Sequence, residues 1–522
     1  MIILDGWGLS PAWGGNATLL RKPENINRLW REYPHKILQA FTMIAGKYGV
    51  VGDSRLGHST IAAGRRIRQN LEIISSSIEN KSFYKNKVLK NAFEHCKKNH
   101  SKVHLVGLLS NGGIHSHTNH ILALLEMASR ENFKDVYLHL FTDGIDSGEF
   151  DGLIFADKIT KKMFHLNLGA FASVCGRFYA MDRNRDYLKT KTVFQALVEG
   201  SGISAPNIQS ALSAGYRRGE NDFNLEPTLI ENDKGKTLIS DNDAVIFFNF
   251  RSDRISQLAE FFSMPGFKIR FWRPNVPKNL YLVSMTNYRK DLNLKVAFEQ
   301  EKIQKTLGEV LSFYQARQLR IAEQEKAAHV TSFFNCDDNV FPFEERKIVP
   351  SFNVDNWAQK PEMNAGSITK EAIKAIKSKH YDFILLNFAN VDALAHTGNV
   401  AATAKAVKFL DDLVETLVKE NLNVSGATII TADHGNAEQI VKLNRNQDPE
   451  TKHTLNPVPF ILVCPDNRKN LIQGAFSVPS SNLSKIITAK ETLADIAPTI
   501  LQLLDYPMPE EMKGHSLLNK LD

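Results

Sequence analysis

The stretch FILLNFANVDALAH, residues 383–396, joins a continuous apolar run to an acid and a histidine. Such a run is typical of a strand that is covered on both faces of a sheet. Asp392 and His396 follow it four residues apart, so one helical turn or a tight loop could direct both side chains to one metal ion. Taken alone, Asp392 is explained equally well as the N-cap of a helix. The stretch predicts a buried strand that ends in a polar site.

The same pattern recurs along the chain. Further apolar runs lie at residues 2–4, 103–109, 136–141, 244–250, 280–285, 427–431 and 459–463. Helical periodicity occurs between several of them, at 120–131, 399–420 and 493–504. This alternation of strands and helices predicts an α/β fold with largely parallel sheets.

Charged side chains come directly after these runs. The runs are followed by Asp5, His115, Asp143 and Asp146, Arg251 and Arg254, Asp392 and His396, and Asp433 and His434. In open α/β sheets, ligands bind outside the carboxyl ends of the strands. The arrangement therefore indicates an enzyme with a charged active site.

Length and composition limit the classes of protein. At 522 residues the chain is too long for one ordinary core, so two or three domains are expected. The apolar fraction of 43% and the charged fraction of 23% are those of a globular protein. The net charge of +7 comes without a Lys/Arg stripe, which favours anionic metabolites and argues against a nucleic-acid partner. The charged stretch 298–309 is a candidate domain boundary.

Three further features indicate a cytoplasmic enzyme. No apolar run approaches the ~20 residues that cross a bilayer, so no membrane partner is expected. The N-terminal MIILDGWG lacks the basic residues of a signal peptide. The four cysteines are far apart and form no C-x-x-C motif, which is typical of free thiols in a reducing compartment.

One set of residues has the composition of a metal site. Its members are Asp5, Asp392, His396, Asp433, His434 and His453. Mixed carboxylate and imidazole ligands suit Mn²⁺, Zn²⁺ or Fe, whereas Mg²⁺ and Ca²⁺ prefer oxygen ligands. The adjacent side chains of Asp433 and His434 diverge and could serve two different ions. His453 taken alone is more simply a surface histidine.

A second set of residues is cationic. Its members are Arg177, Arg183, Arg251, Arg254 and Lys326. The planar fork of arginine binds carboxylate and phosphate through two hydrogen bonds, so the set indicates a doubly anionic substrate such as a phosphorylated acid. An isolated arginine, by contrast, is usually part of a solvated salt bridge.

Ser54, in VGDSRLGHSTIAAGR (residues 51–65), is a candidate nucleophile. A serine hydroxyl is weakly nucleophilic, but a metal ion lowers the pKa of an oxygen that it binds. The residues after Ser54 are compatible with a helix, whose N-terminus favours an anionic oxygen. An ordinary serine N-cap needs the same geometry, and on the local sequence it is the simpler interpretation.

Eleven segments together resemble one family over essentially the whole chain. They are ILDGWG, GDSRLGHSTIAAGR, LLSNGGIHSH, TDGID, GRFYAMDR, FFNFRSDR, QLRIAEQEKAAHVTSFF, NFANVDALAH, TADHGNAEQ, KHTLNPVPF and DIAPTILQLLDYPMPEEMKGHSL. In this order and spacing the chain resembles the cofactor-independent (2,3-bisphosphoglycerate-independent) phosphoglycerate mutases of the alkaline phosphatase superfamily. The resemblance implies two three-layer α/β domains. An alkaline-phosphatase-like domain of residues 1–69 and 302–522 would be split in sequence by an inserted phosphotransferase domain of residues 70–301.

The resemblance also implies a reaction and the residues that carry it. A monomer would interconvert 3- and 2-phosphoglycerate in glycolysis through a phosphoserine on Ser54. One Mn²⁺ would be held by Asp5, Ser54, Asp433 and His434, and a second by Asp392, His396 and His453. The substrate would be bound by His115, Asp146, Arg177, Arg183, Arg251, Arg254 and Lys326. Asp146 would be the acid/base, and Lys326 would lie beside the phosphoryl group.

The chain departs from the family pattern at several positions. The usual D-G-R-D motif reads D-G-I-D, so Ile145 replaces a substrate-binding arginine, and Arg55 replaces the glutamate of the nucleophile motif. Loss of one contact to a charged group costs about 1.5–3 kcal/mol of binding. Two alternatives follow: a metal-dependent phosphohydrolase of the same superfamily, in which water intercepts the phosphoserine, or a catalytically weakened paralogue.

Overall fold

A computed structural model describes the chain except for residues 12–14, 41, 45–47, 51–52, 233–234, 265, 270–271, 354–355, 443–447, 466–489 and 520–522. The strands, in chain order, are β1 (Ile2–Leu4), β2 (His35–Leu38), β3 (Thr42–Ile44), β4 (Tyr48–Val50), β5 (Val103–Leu109), β6 (Val136–Thr142), β7 (Ala170–Gly176), β8 (Ile203–Ala205), β9 (Thr228–Asn232), β10 (Gly235–Lys236), β11 (Ala244–Phe247), β12 (Tyr281–Ser284), β13 (Lys295–Val296), β14 (Gln318–Glu323), β15 (Glu344–Val349), β16 (Phe383–Phe388), β17 (Thr428–Thr431) and β18 (Val458–Val463).

The α-helices, in chain order, are α1 (Ala17–Leu20), α2 (Glu24–Glu32), α3 (Ser54–Ala63), α4 (Asn70–Glu79), α5 (Lys87–Asn99), α6 (Thr118–Arg130), α7 (Gly152–Leu166), α8 (Arg177–Ala180), α9 (Tyr187–Glu199), α10 (Ile208–Arg217), α11 (Ser252–Ser263), α12 (Leu307–Phe313), α13 (Ala365–Ser378), α14 (Asn390–Ala395), α15 (Val400–Asn423) and α16 (Ile496–Leu503). In the described ranges no helix has both the length and the apolar character of a membrane span.

The chain divides into two compact units. Unit 1 comprises Met1–Ile67 and Lys302–Asp522, and unit 2 comprises Arg68–Glu301. The family resemblance implied a first boundary two residues later, after residue 69. The second boundary falls inside the charged stretch 298–309.

Unit 1 is built on a seven-stranded sheet in the order β15-β14-β16-β1-β17-β18-β2. The strands from β15 to β17 are parallel, whereas β18 runs antiparallel to both of its neighbours. The carboxyl ends of β14, β16, β1 and β17 therefore lie side by side at one edge. This edge is where an open α/β sheet places its ligands.

Unit 2 repeats this construction with a nine-stranded sheet. Its main path is β10-β9-β7-β6-β5-β11-β12-β13, with β8 beside β9. The strands from β7 to β13 are parallel. The ends of β7, β6, β5 and β11 are therefore neighbours at one edge of the second sheet.

Continuous apolar strands arise because helices cover both faces of a sheet. In β5 the buried side chains alternate between two separate cores of unit 2: Leu105 belongs to one and Val106 to the other. In unit 1 the long helix α15 buries Val407, Leu410 and further residues of the predicted apolar stripe against the sheet. These layers confirm the predicted α/β class.

Candidate functional site

Four neighbouring strands of unit 1 deliver predicted site residues to one edge of the sheet. Asp5 follows β1, Asp392 lies in α14 directly after β16, and Asp433 and His434 follow β17. Lys326 ends a 3₁₀ turn, Gln324–Lys326, that continues from β14. Side chains more than 300 residues apart in sequence thus converge because their strands pair.

Ser54 is the first residue of α3, but it does not cap the helix. The N-cap is Asp53, whose carboxylate accepts a hydrogen bond from the backbone N–H of Leu56 at 2.7 Å. The simpler interpretation of Ser54 as an N-cap is therefore wrong. Since the preceding acid satisfies the helix end, the Ser54 hydroxyl is available for other contacts.

The Ser54 hydroxyl points into a group of charged side chains. Its Oγ lies 2.8 Å from Nε2 of His434 and 3.4 Å from Oδ1 of Asp5. The Lys326 ammonium donates to the same Oγ at 3.1 Å, to Asp5 at 2.8 Å and to Asp392 at 2.7 Å. This buried lysine is thus the cationic centre of the group.

Asp392, His396 and His453 form a second part of the same site. Oδ1 of Asp392 lies 3.3 Å from Nε2 of His396 and 3.4 Å from Nε2 of His453. The two Nε2 atoms are 3.1 Å apart. Only 16% of the His453 side chain is exposed, so it is not an ordinary surface histidine. We refer to these three residues with Asp5, Ser54, Lys326, Asp433 and His434 as the acid–histidine cluster.

The arrangement suits divalent cations. The ligand atoms of Asp392, His396 and His453 lie within 4.8 Å of one another, as do those of Asp5, Asp392 and His434. The Nδ1–H of His396 donates a hydrogen bond to the carbonyl of Thr451 at 2.7 Å. Nε2 of His396 is then unprotonated, and its lone pair can bind a metal ion. The Asp392 carboxylate and the Nε2 atoms of both histidines thus lie close enough to coordinate one cation.

Burial and neighbouring charges shift the pKa values of the cluster in different directions. Burial, reinforced by the neighbouring charge of Asp433, raises the pKa of Asp5. Burial alone would also raise the pKa of Asp392, but the Lys326 ammonium overrides it and holds that pKa well below its usual range. Burial would lower the pKa of Lys326, and the charges of Asp392 and Asp5 raise it instead. The Lys326 ammonium therefore compensates Asp5 and Asp392, the two carboxylates that it contacts.

Unit 2 places its predicted residues at the equivalent edge. Arg177 follows β7, and its Nη1 donates to Asp143 at 2.5 Å and to Asp146 at 2.6 Å, both of which follow β6. Arg177 is buried, whereas Asp146 is partly exposed. The guanidinium thus fixes two acids of one loop.

His115 follows β5 and lies between two acids. Its Nδ1 is 3.5 Å from Oδ1 of Asp253, and its Nε2 is 3.9 Å from Oδ2 of Asp146. Burial lowers the pKa of His115 to about 4, because it outweighs the charge of Asp253. The imidazole is therefore neutral at neutral pH.

The remaining arginines of unit 2 are more exposed. Arg251 lies with half its side chain in solvent and its Nε 3.2 Å from Asp253. Burial, together with the charges of Arg177 and Arg183, lowers the pKa of Arg254. We refer to these four arginines with His115 and Asp146 as the arginine cluster.

Known proteins match the chain along its whole length. Residues 74–290 match the family model described as BPG-independent PGAM N-terminus (iPGM_N). The 2,3-bisphosphoglycerate-independent phosphoglycerate mutase of Acetivibrio thermocellus is 39% identical, covering 100% of this chain and 99% of the relative. A second relative with this name, from Methanosarcina acetivorans, is 41% identical and covers 100% and 98%. This chain belongs to the 2,3-bisphosphoglycerate-independent phosphoglycerate mutases.

A solved structure supports the family at the level of the fold. The crystal structure of Leishmania mexicana phosphoglycerate mutase at low cobalt concentration matches with a TM-score of 0.68 and 26% identity. The match covers 98% of this chain and 96% of that one. Both units are therefore included in the comparison.

Two residues that contact the side chains of these two clusters were given no specific role from the sequence. His58, one turn after Ser54, has Nδ1 3.2 Å from Asp433 and 2.8 Å from the Ser54 carbonyl, and it forms a possible ligand group with Asp5 and Asp433. Asp143 accepts from Ser110 as well as from Arg177. His58 lies in the stretch around Ser54, and Asp143 lies at the end of a predicted strand. Neither belongs to a motif whose spacing would separate a functional residue from a structural one.

The two unusual residues of this mutase are both exposed. Ile145 is 56% exposed on the loop after β6. Arg55 places its guanidinium over the ring of Phe333, 5.6 Å from the ring centre. Arg55 thus has an aromatic contact on its own unit.

Proposed function

We propose that the chain interconverts 3-phosphoglycerate and 2-phosphoglycerate through a phosphoserine formed on Ser54. Membership of the family makes the chain an isomerase and gives the overall reaction. The observation that carries the covalent step is the position of the Ser54 hydroxyl. It does not cap α3, and it lies within 3.4 Å of His434, Lys326 and Asp5.

The proposal assigns two Mn²⁺ ions to the acid–histidine cluster. Asp5, Ser54, Asp433 and His434 would hold one, and Asp392, His396 and His453 the other. Mixed carboxylate and imidazole donors favour Mn²⁺ over Mg²⁺. When bound, the ions supply positive charge that lowers the pKa of a nearby hydroxyl and offsets the charge of a phosphoryl group.

The chain's own residues carry the transfer. Ser54 reacts as the deprotonated oxygen: the bond from the glycerate oxygen to phosphorus breaks as the bond from Ser54 Oγ to phosphorus forms, and the deprotonated oxygen is regenerated when the phosphoryl group returns. Lys326 holds the charge of the phosphoryl oxygens. Asp146 donates a proton to the oxygen that loses the phosphoryl group. It takes a proton from the other hydroxyl when the phosphoserine returns its phosphoryl group.

The proposal assigns substrate binding to His115, Asp146, Arg177, Arg183, Arg251, Arg254 and Lys326. Guanidinium groups are suited to this because phosphate and carboxylate both accept two parallel hydrogen bonds. The proposal also places the chain in the cytoplasm as a monomer, in keeping with a glycolytic reaction on small molecules.

The test is an enolase-coupled assay with Mn²⁺ and without 2,3-bisphosphoglycerate. Ser54→Ala is expected to lower turnover on the order of 10⁴-fold or more, because the nucleophile is lost. Acid quench and mass spectrometry should find phosphate on Ser54 of the wild type. Ser59→Ala is the matched control: Ser59 lies on the same helix and its hydroxyl donates to the carbonyl of Phe333, so activity should stay within about 3-fold.

Two results would contradict the proposal. Equal activity of Ser54→Ala and the wild type would exclude the phosphoserine. Release of inorganic phosphate faster than formation of the isomer would indicate a phosphohydrolase instead.

A further inference from the structure

Glu438 is a fully buried carboxylate just after the predicted ligands Asp433 and His434. Its Oε2 accepts hydrogen bonds from the backbone N–H groups of Gly8 at 3.1 Å and Asn436 at 2.8 Å. Gly8 lies on the segment that follows β1 and Asp5. One oxygen of Glu438 thus joins two segments that carry proposed metal ligands.

The other oxygen reaches a third segment. Oε1 accepts from the hydroxyl of Thr454 and from the side-chain amide of Asn456 at 2.9 Å. These residues directly follow His453. Glu438 therefore saturates both of its oxygens with donors from the three chain segments that present Asp5, Asp433 with His434, and His453.

The backbone closes around the Glu438 carboxylate. A Cβ on Gly8 would lie 2.2 Å from the Glu438 carboxyl carbon, and one on Gly435 would lie 2.5 Å from Oε1. Gly435 and Thr454 also form an isolated β-bridge, in which the N–H of Thr454 donates to the Gly435 carbonyl at 2.9 Å. Only glycine at these two positions lets the backbone approach the carboxylate this closely, so the Glu438 carboxylate is packed directly against both loops.

The contacts of Glu438 are unusual for a buried charge. All four donors are neutral, and in the part of the chain that the structure describes no lysine, arginine or histidine pairs with it. A buried carboxylate without a cation is costly unless its hydrogen bonds are complete. Because its hydrogen bonds are complete, Glu438 can hold the three segments that it contacts in a fixed arrangement.

We propose that Glu438 is the positioning residue that fixes the spacing of the ligand-bearing loops. It contacts no proposed ligand directly; it acts through the backbone of Gly8 and Asn436 and through Thr454 and Asn456. Asn436 adds a fourth connection, since its side-chain amide donates to Asp392 at 2.8 Å. The inference rests on the proposed function, which assigns metal ions to these loops.

The test is calorimetric titration of the metal-free full chain with Mn²⁺. A glutamine amide has one accepting oxygen and one donating NH₂ group. In Glu438→Gln the NH₂ group therefore faces two of the four donors, with which it cannot form hydrogen bonds. Mn²⁺ affinity should fall about 10- to 100-fold, the usual effect of removing a group that orients metal ligands. Thr454→Val, which removes one donor at nearly constant volume, should weaken binding by about 3- to 10-fold.

The matched control is Asp411→Asn. Asp411 is an equally buried carboxylate of unit 1 that accepts from the backbone of Ile26 at 2.8 Å and Asn25 at 3.2 Å, on another helix. Its replacement should lower the melting temperature of the metal-free chain and leave Mn²⁺ affinity within about 2-fold.

The outcomes separate the two proposals. If the wild type binds no Mn²⁺, the proposed function fails. If the wild type binds and Glu438→Gln binds equally well, or if Asp411→Asn weakens binding as much, the positioning role of Glu438 is overturned. Should Glu438→Gln not fold, an unchanged affinity in Thr454→Val overturns it.

Discussion

The acid–histidine cluster and the arginine cluster occupy equivalent positions in their sheets but differ in the charge of their side chains. Each lies where four neighbouring strands of a largely parallel sheet end: β14, β16, β1 and β17 in unit 1, and β7, β6, β5 and β11 in unit 2. The first gathers carboxylates and imidazoles around one buried ammonium. The second gathers guanidinium groups, of which only Arg177 is buried.

The difference in exposure corresponds to a difference in task. Charges buried in a low dielectric interact strongly and must be assembled before a reaction begins. Exposed guanidinium groups keep their hydration and can bind and release an anionic ligand. We therefore expect substitutions in the first cluster to affect turnover, and substitutions at the exposed arginines of the second to affect apparent affinity.

The largest expected effect is that of Lys326→Met. The variant keeps an unbranched apolar side chain one atom shorter and removes the ammonium that contacts Ser54, Asp5 and Asp392. We expect kcat to fall about 10²- to 10³-fold, as for loss of one preorganised donor to developing negative charge. Calorimetry with Mn²⁺ should show binding at least as tight as in the wild type, because two carboxylates lose their competing cation.

Weaker Mn²⁺ binding in Lys326→Met would contradict this interpretation. It would mean that the ammonium holds the carboxylates in place, and that the acid–histidine cluster collapses without it. Melting temperatures of the metal-free proteins would show such a collapse directly.

The next effect concerns the contrast within the arginine cluster. Arg177→Lys replaces a guanidinium, whose Nη1 donates to both Asp143 and Asp146, by a single ammonium on a shorter side chain. Loss of one charge-assisted contact costs about 1.5–3 kcal/mol, so kcat/KM should fall about 10- to 100-fold. Arg251→Lys is the comparison, since Arg251 is half exposed and is proposed to bind substrate: KM should rise while kcat stays within about 3-fold. Equal effects of the two substitutions on kcat would show that burial does not distinguish these arginines.

The sequence predicted the strands of the sheets more accurately than it predicted individual side-chain hydrogen bonds. The runs 103–109 and 383–388 are strands with those bounds, because both faces of each strand are buried and the apolar pattern is continuous. Asp53 and Ser54 are both capping residue types, so the sequence could not decide which one caps α3. Only the hydrogen bond from Leu56 to Asp53 decides it.

The residues that the sequence left unassigned act through the backbone or through long-range contacts. Glu438 binds main-chain N–H groups of Gly8 and Asn436, and such contacts leave no spacing in a sequence. His58 could be placed one turn after Ser54, but its contacts to Asp433 and Asn387 depend on strands far along the chain. Residue types and strand ends were therefore predictable, and pairings across the sheet were not.

The smallest effect is a titration that separates burial from charge in the arginine cluster. Two carboxylates face His115, Asp253 at 3.5 Å and Asp146 at 3.9 Å, and they favour the charged imidazole. Burial and Arg177 favour the neutral form, and burial lowers the pKa of His115 to about 4. In ¹³C-histidine NMR of the full chain, with His115→Gln used for assignment, the His115 signal should titrate near pH 4. A midpoint at or above 6.5 would show that the acids outweigh burial.

The same shift sets the sign of a stability effect. The folded chain binds the His115 proton less readily than the unfolded chain, whose histidines titrate at about 6.5. The contribution of His115 to the free energy of unfolding is therefore present above pH 6.5 and lost as the pH falls toward 4, by up to about 1.4 kcal/mol per pH unit. Urea unfolding of His115→Gln should lose less stability than the wild type between pH 6.5 and 5. If both lose the same, folding does not shift the pKa of His115, and the acids offset burial in the folded arginine cluster.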